Sequence, residues 1–157
     1  MSALTHPFPF LVRRAESVIE ALPYLRRFNQ KIFVVKCGGA AMEDPVVRDK
    51  FVQDIVLLKY AGIHPVLVHG GGPNINRELE KRGIKPTFVQ GLRVTDARTM
   101  KVVERILGEK INRGLARDIE AHGGKPVSLY GKRGSLIRAR KLWLNDPEGN
   151  PLDLGFT

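Results

Sequence analysis

Two short apolar runs, each followed at once by glycines, give the clearest pattern in the chain. Residues 32–37 (IFVVKC) lead into glycines 38–39, and residues 65–69 (PVLVH) lead into glycines 70–72. Short apolar runs bounded by turn residues predict buried strands, and glycine permits a sharp turn or a close approach to a ligand. Because a predicted helix follows each loop, the backbone N–H groups of the loop could face an anion near the helix start. The pattern predicts one crevice at the carboxyl ends of parallel strands.

Helical spacing of apolar residues predicts the other main elements. In the N-terminal helix, Pro23 should kink the helix or divide it in two. Asp44 followed by Pro45 is a typical helix start. The N-terminal helix could pack on its own domain or present a partner surface, and the residues alone leave both interpretations open. The predicted helices are 11–25, 45–61, 73–82 and a long one from residue 95 or 96 to 122.

The remaining segments predict further extended structure. Residues 1–10 should form an extended arm, residues 86–95 should be extended as far as Arg93, and residues 126–130 should form a strand. A short hairpin is expected across residues 134–144. The alternation of strands and helices predicts an α/β fold with parallel strands and right-handed crossovers.

Composition limits the class of protein. With 157 residues and 43% hydrophobic content, the chain can bury one core, so one domain is expected. The single cysteine, Cys37, excludes an internal disulfide and suits a reducing compartment. No apolar run reaches the ~20 residues that cross a bilayer, and residues 1–10 lack a secretory signal pattern. We therefore expect a cytoplasmic protein without a membrane partner.

The formal net charge of +10 raises the question of nucleic-acid binding. A basic cluster lies within residues 132–141, yet the chain has no RNP motif, zinc pattern or basic heptad region. Its few aromatic residues are not interleaved with the basic ones. We therefore expect no nucleic-acid partner, and anionic substrates explain the charge as well.

A series of short motifs carries a family resemblance. The segments VKCGGAAM (35–42), HGGGP (69–73) and GLRVTD (91–96) occur in this order, and GGK (123–125) and LIRARK (136–141) follow. The series resembles the acetylglutamate kinase family of the amino acid kinase superfamily, over roughly the whole chain after residue 20. These enzymes phosphorylate the side-chain carboxylate of N-acetyl-L-glutamate in arginine biosynthesis.

The resemblance implies an architecture and a division of the chain. The implied fold is a three-layer αβα sandwich with a mainly parallel central sheet, preceded by an N-terminal amphipathic helix. Residues 1–28 would form the arm and this helix, and residues 29–157 the acetylglutamate-binding domain. Family members are nearly twice as long, so we expect the C-terminal ATP-binding half to be absent from this chain. Cys37 and Arg133 depart from residue types that are common in the family at their positions.

Transfer of a phosphoryl group to a carboxylate requires charge neutralisation. Two unit charges ~4 Å apart repel by ~4 kcal/mol at an effective dielectric near 20, so the reaction needs a cation, backbone donors and a substrate anchor. Lys36 stands at the end of the first strand, where it could be a solvated lysine or a phosphate-binding cation. The resemblance implies that Lys36 stabilises the transition state, with Gly38 and Gly39 forming a phosphate loop.

The second loop and a single arginine supply the predicted substrate site. The resemblance implies that Gly71 and Gly72 contact acetylglutamate and that Arg93 holds its α-carboxylate. Arginine can grip a carboxylate through two parallel hydrogen bonds, although a surface ion pair is the alternative for an arbitrary arginine. We expect His69 to be structural, because an ionised carboxylate has no proton to remove. Asn76 forms no recognisable constellation and is also expected to be structural.

Partners and cofactors follow from the same resemblance. They are N-acetyl-L-glutamate and ATP with Mg²⁺ as co-substrate, with no tightly bound cofactor and no protein-held metal. A homodimer is implied, with a hexamer formed through the N-terminal helix and a PII-type nitrogen regulator as further partners. The chain alone should be weakly active or inactive. The alternative is a non-catalytic module that binds amino acids or assembles oligomers.

Overall fold

The structure, a computed structural model, describes residues 8–38, 43–140 and 143–155, with side chains from residue 11 onward. The described part of the chain contains both helices and strands in the alternating order that the sequence predicts. The helices are α1 (Phe8–Phe28), α2 (Pro45–Tyr60), α3 (Gly72–Lys81), α4 (Ala97–Glu104), a π-helix (Arg105–Asn112) and α5 (Arg113–Ala121), with a short 3-10 turn at Arg133–Ser135. The strands are β1 (Ile32–Cys37), β2 (His64–His69), β3 (Phe88–Val89), β4 (Leu92–Arg93), β5 (Trp143–Asn145) and β6 (Pro151–Asp153).

Strands β1 and β2 form a parallel pair, which confirms the predicted α/β class. Their register runs from Ile32 opposite His64 to Cys37 opposite His69. Paired positions on parallel strands share a face of the sheet. The carboxyl ends of both strands, with the glycines that follow them, therefore lie side by side.

The main core lies on one face of this strand pair. Cys37 and Leu67 on the strands pack with residues from all the helices between α2 and α5. On the other face, Ile32 and Val34 are each 70% exposed, and Val66 is also exposed. Helices of the core therefore cover one side of the pair. The buried members of this core are Cys37, Val52, Ile75, Leu79, Val102, Ile106, Ile111 and Leu115.

Local capping explains where the helices begin. The Asp44 carboxylate accepts hydrogen bonds from the backbone N–H groups of Val46 (2.8 Å) and Val47 (3.2 Å), as predicted for a helix start. Asp96 caps α4 by accepting from the N–H of Thr99 at 2.7 Å. Helix α1 runs through Pro23 as one element and exposes apolar positions along its length.

The long helix predicted from residue 95 or 96 to 122 is present, but its middle is not α-helical. Residues 105–112 form a π-helix between α4 and α5. A π turn holds more residues than an α turn, and such turns are often found at functional sites. Periodicity predicted the extent of this element and gave no sign of the change in winding.

Four predicted extended segments differ from the structure. Residues 8–10 of the expected arm belong to helix α1, and residues 1–7 lie outside the described residues. Residues 126–130 run without strand pairing, and Pro126 has no N–H group to donate to a sheet. The hairpin expected across 134–144 is instead formed by β5 and β6, around a turn in which Gly149 has φ +89°. Residues 86–95 do not form one extended run, because Gln90 and Gly91 take positive φ values and fold β3 back onto β4.

Within the described ranges, none of the helices combines the length and the apolar composition needed to cross a bilayer.

Candidate functional site

The two glycine loops begin side by side at the carboxyl end of the β1–β2 pair. The N–H of Gly70 donates a hydrogen bond to the carbonyl of Cys37 at 3.0 Å, one residue beyond the last paired positions. Helix α3 starts two residues later, and the carbonyl of Gly71 accepts its first helical hydrogen bond from Ile75 at 2.9 Å. The last residue of β1 is therefore joined directly to the second glycine loop, and the first loop begins at the next residue, Gly38.

The glycines at this end of the sheet have different surroundings. A Cβ atom added at Gly38 or at Gly72 would meet no atom of the described residues within 4 Å. One added at Gly71 would lie 2.6 Å from Cδ1 of Ile111 and 2.7 Å from Cδ2 of Leu107. A side chain at 71 would therefore require the ends of Ile111 and Leu107 in the π-helix to shift, whereas among the described residues 38 and 72 have open space around them. Gly39 lies outside the described residues.

Lys36 is exposed and lies on the face of β1 opposite the core. It stands beside Val68 of β2, on the same face as the exposed Val34. Its neighbour Cys37 points the other way and is only 4% exposed. The strand alternation therefore brings a cation to the end of the sheet on its uncovered side.

Arg93 is half-buried and held from two sides. Its Nη2 atom donates a hydrogen bond to Oδ1 of Asn76 at 2.6 Å, and its guanidinium lies over the ring of Phe88, 4.6 Å from the ring centroid. Burial lowers the pKa of the Arg93 guanidinium, yet arginine remains charged in proteins. These contacts fix the orientation of a partly desolvated cation against α3.

The backbone around Arg93 is also fixed. The hydroxyl of the buried Thr95 donates to the carbonyl of Arg93 at 2.9 Å. The N–H of Thr95 in turn donates to the carbonyl of Leu154 at 2.8 Å, next to a parallel bridge between Thr95 and Gly155. The end of the described chain therefore supports the strand that presents Arg93.

His69 and Cys37 contact the backbone carbonyls of the first glycine in each loop. His69 Nδ1 lies 3.2 Å from the carbonyl of Gly70, where it can only donate because a carbonyl accepts. The buried Cys37 has its Sγ 3.7 Å from the carbonyl of Gly38, and burial raises the pKa of its thiol. A neutral thiol at this position is a packing group rather than a nucleophile.

Asn76 is the residue that sequence reasoning missed. It lies one helical turn after Gly72 on α3, so its amide comes from the helix that the second glycine loop begins. A polar residue one turn inside a helix that follows a glycine loop was the available signal, but its partner Arg93 is 17 residues away. The structure therefore connects the second loop to Arg93 through α3 and Asn76, and it leaves Lys36 on the other face of the strands.

A match to a family model establishes the family of this chain. The model of the amino acid kinase family matches residues 31–152, which include both loops and Arg93. The chain belongs to the amino acid kinase family. This family member thus has one cation, Lys36, at the end of β1 and a second, Arg93, bonded to the helix that begins at the second glycine loop.

Named relatives narrow the comparison. The chain is 49% identical over 142 residues to acetylglutamate kinase of Neisseria gonorrhoeae, covering 90% of this chain and 48% of that protein. It is 52% identical over 145 residues to acetylglutamate kinase of Azoarcus sp., again covering 90% of this chain and 48% of the relative. This amino acid kinase family member thus spans about half the length of the curated relatives it matches.

Solved structures resemble part of this fold. N-acetylglutamate synthase of Neisseria gonorrhoeae, complexed with coenzyme A and N-acetyl-glutamate, superposes with a TM-score of 0.54 at 27% identity. The superposition covers 69% of this chain and 24% of that one. The same synthase complexed with coenzyme A and L-arginine gives a TM-score of 0.51 at 27% identity, over 77% of this chain and 26% of the other.

Proposed function

We propose that this chain forms the N-acetyl-L-glutamate-binding half of an acetylglutamate kinase. The complete enzyme would transfer the γ-phosphoryl group of ATP to the side-chain carboxylate of the substrate. The observation that carries the proposal is the anchored Arg93: Asn76 ties it to the helix that begins at the second glycine loop. A fixed cation beside open backbone donors suits a substrate with two carboxylates.

Arg93 would bind the α-carboxylate of acetylglutamate. Its guanidinium is already oriented by Phe88 and Asn76, so little side-chain entropy would be lost on binding. Partial burial strengthens an ion pair relative to one in bulk water. Lysine could supply the charge at this position but not the planar pair of donors.

Lys36 and the glycines would act on the transferring phosphoryl group and the acceptor. Lys36 would stabilise negative charge in the transition state, with Gly38 and Gly39 as the phosphate loop. Gly72 would contact the substrate through its backbone, which the open space around it supports. Gly71 would contribute its backbone while packing against the π-helix.

ATP with Mg²⁺ would be the co-substrate, and most of its site would belong to sequence that the relatives have beyond the matched half. We therefore propose that the chain alone is weak or inactive as a kinase. Hydroxylamine trapping of the acyl phosphate tests this directly. Hydroxamate formed from acetylglutamate and ATP by the purified chain, and abolished in Lys36→Ala, would contradict it.

The finer architecture and the assembly are part of the same proposal. A three-layer αβα sandwich would need cover on the exposed face of β1 and β2. An amphipathic α1 would associate subunits into a homodimer or hexamer, and a PII-type regulator would be a further partner. Support for assembly comes from the apolar positions that α1 exposes, among them Val18 and Ile19.

Calorimetric titration with N-acetyl-L-glutamate tests substrate binding. We expect Arg93→Ala to weaken binding by tenfold or more, about the worth of one charge-assisted hydrogen-bonded pair. Arg93→Lys should recover only part of the loss. Arg82→Ala is the matched control, because Arg82 pairs with Glu78 on the surface at 2.7 Å. Equal losses in the Arg82 and Arg93 variants would refute a specific role for Arg93.

Calorimetry combined with light scattering distinguishes the enzyme half from the alternative function. A non-catalytic oligomerisation module would assemble through α1 without binding acetylglutamate. Light scattering of the wild type and of Val18→Glu measures that assembly. Self-association that Val18→Glu abolishes, in a folded chain that does not bind acetylglutamate, would favour the module over the enzyme half.

A further inference from the structure

A cavity of about 330 Å³ lies along the π-helix. Its lining does not include Lys36, Arg93 or the glycine loops. Four basic side chains and two carboxylates line it. Helices α4 and α5 contribute at its ends, and the segment after α5 forms the opposite wall. The basic members are Lys101, Arg105, Arg113 and Arg133, and the carboxylates are Glu104 and Glu109.

The π-helix aligns three of these cations. Lys101, Arg105 and Arg113 lie on one helical segment at multiples of four residues. A step of four residues overshoots one α turn of 3.6 residues but falls short of one wider π turn. The two deviations have opposite signs, so the change in winding keeps these side chains in one row.

The opposite wall is built by Tyr130. Its ring packs so closely on Gly108 that a Cβ atom there would lie 2.9 Å from Cε2 of the ring. Its hydroxyl donates to Oε1 of Glu104 at 2.5 Å, and Lys132 donates to the same oxygen at 2.9 Å. The absence of a side chain at Gly108 and the bond to Glu104 thus fix the wall.

Cations are in excess around this cavity. The Glu104 carboxylate is already engaged by Tyr130 and Lys132, and Arg105 lies 3.7 Å from Glu78, which also binds Arg82. Within the described ranges, Lys101, Arg113 and Arg133 form no ion pair. By contrast, Arg48 in another cavity is paired with Asp118 at 2.5 Å.

We propose that this cavity binds a small organic phosphate, held by Arg113 and Arg133 from opposite walls of the cavity. Arginine binds phosphate oxygens in a bidentate manner, and a dianion would balance the excess of cations. The volume suits a small metabolite, since ligand cavities begin at about 300 Å³. This site is separate from the proposed phosphoryl-transfer site.

Calorimetry with inorganic pyrophosphate, at constant ionic strength, tests the proposal. The proteins are the wild type, the double variant Arg113→Ala/Arg133→Ala, Arg117→Ala and Lys36→Ala. Arg117 is the matched control, because it lies one turn after Arg113 and does not line the cavity. We expect the double variant to bind about tenfold or more weakly and the other two variants to retain this binding.

Side-chain Nε–H resonances of the arginines give a second readout, because those of Arg113 and Arg133 should shift on titration. Circular dichroism establishes that each variant is folded. No saturable binding by the wild type would overturn the proposal, and so would an equal loss in Arg117→Ala. Loss confined to Lys36→Ala would assign the ligand to the glycine loops instead. Binding of a single-stranded oligonucleotide without binding of pyrophosphate would also overturn it.

Discussion

Adjacent glycines in the second loop should respond in opposite ways to the same substitution. Gly71 and Gly72 differ by one position, yet the first is buried against the π-helix and the second is exposed. Neither has a positive φ, so alanine strains the backbone at neither position. The space around each Cβ position therefore decides the effect.

The contacts give the expected magnitudes. A methyl group at 71 would lie 2.6 Å from Ile111 and 2.7 Å from Leu107, about 1 Å closer than carbon atoms normally approach. Overpacking of this kind typically costs about 1–3 kcal/mol, and alanine is a poorer N-cap than glycine. We expect Gly71→Ala to lower the free energy of unfolding by about 1 kcal/mol, the low end of this range, because the contacting atoms are side-chain ends that can shift. Gly72→Ala should leave it unchanged or raise it by up to about 0.5 kcal/mol.

Urea unfolding followed by circular dichroism at 222 nm measures both effects, with the slope m checked for constancy. Gly71→Ser is the matched control: serine restores a good N-cap but adds the same Cβ atom. If steric contact dominates, Gly71→Ser should be destabilised nearly as much as Gly71→Ala. Equal stability of the Gly71→Ala and Gly72→Ala proteins would refute the packing of this loop on the π-helix.

Three further predictions concern single groups. Burial of the Cys37 thiol and its raised pKa should make alkylation by iodoacetamide slower at pH 8 than in the urea-unfolded chain, and equal rates would contradict this. The bond to Glu104 raises the pKa of Tyr130 to about 12, so its contribution to stability should be present below about pH 10 and lost as the pH rises towards 12. Absorbance titration should show this late ionisation of Tyr130. In Glu104→Gln, the midpoint of the ionisation should move back towards pH 10. Asp44→Ala should cost about 1 kcal/mol in urea unfolding, whereas Asp44→Asn should retain most of the cap; equal losses would argue against the capping bonds.

Features that depend on adjacent residues were predictable from the sequence. The two strands, the cap at Asp44 and the glycines that follow the strands are all read from short patterns, because strand, turn and helix starts are encoded locally. The family resemblance rests on the same loops, and the family model confirms that part of it.

Features that depend on contacts between distant elements were not predictable. The bond from Arg93 to Asn76 joins a short strand to a helix, and neither residue type specifies the other. The π-helix adds residues to a turn without changing the apolar spacing enough to be seen. The expected strand at 126–130 was wrong for a similar reason: its apolar pattern suits a strand, but pairing requires a neighbour to which it can bond.

The opposite positions of Lys36 and Arg93 fit a reaction shared between two halves. A parallel strand pair is normally covered on both faces, and Ile32 and Val34 are apolar residues on the exposed one. If the other half of a complete enzyme covers that face, Lys36 projects towards the half that we propose binds ATP. Arg93 lies on the side of α3, where we propose that acetylglutamate binds. The acceptor carboxylate and the phosphoryl group would then meet at the end of the sheet, where the two glycine loops begin.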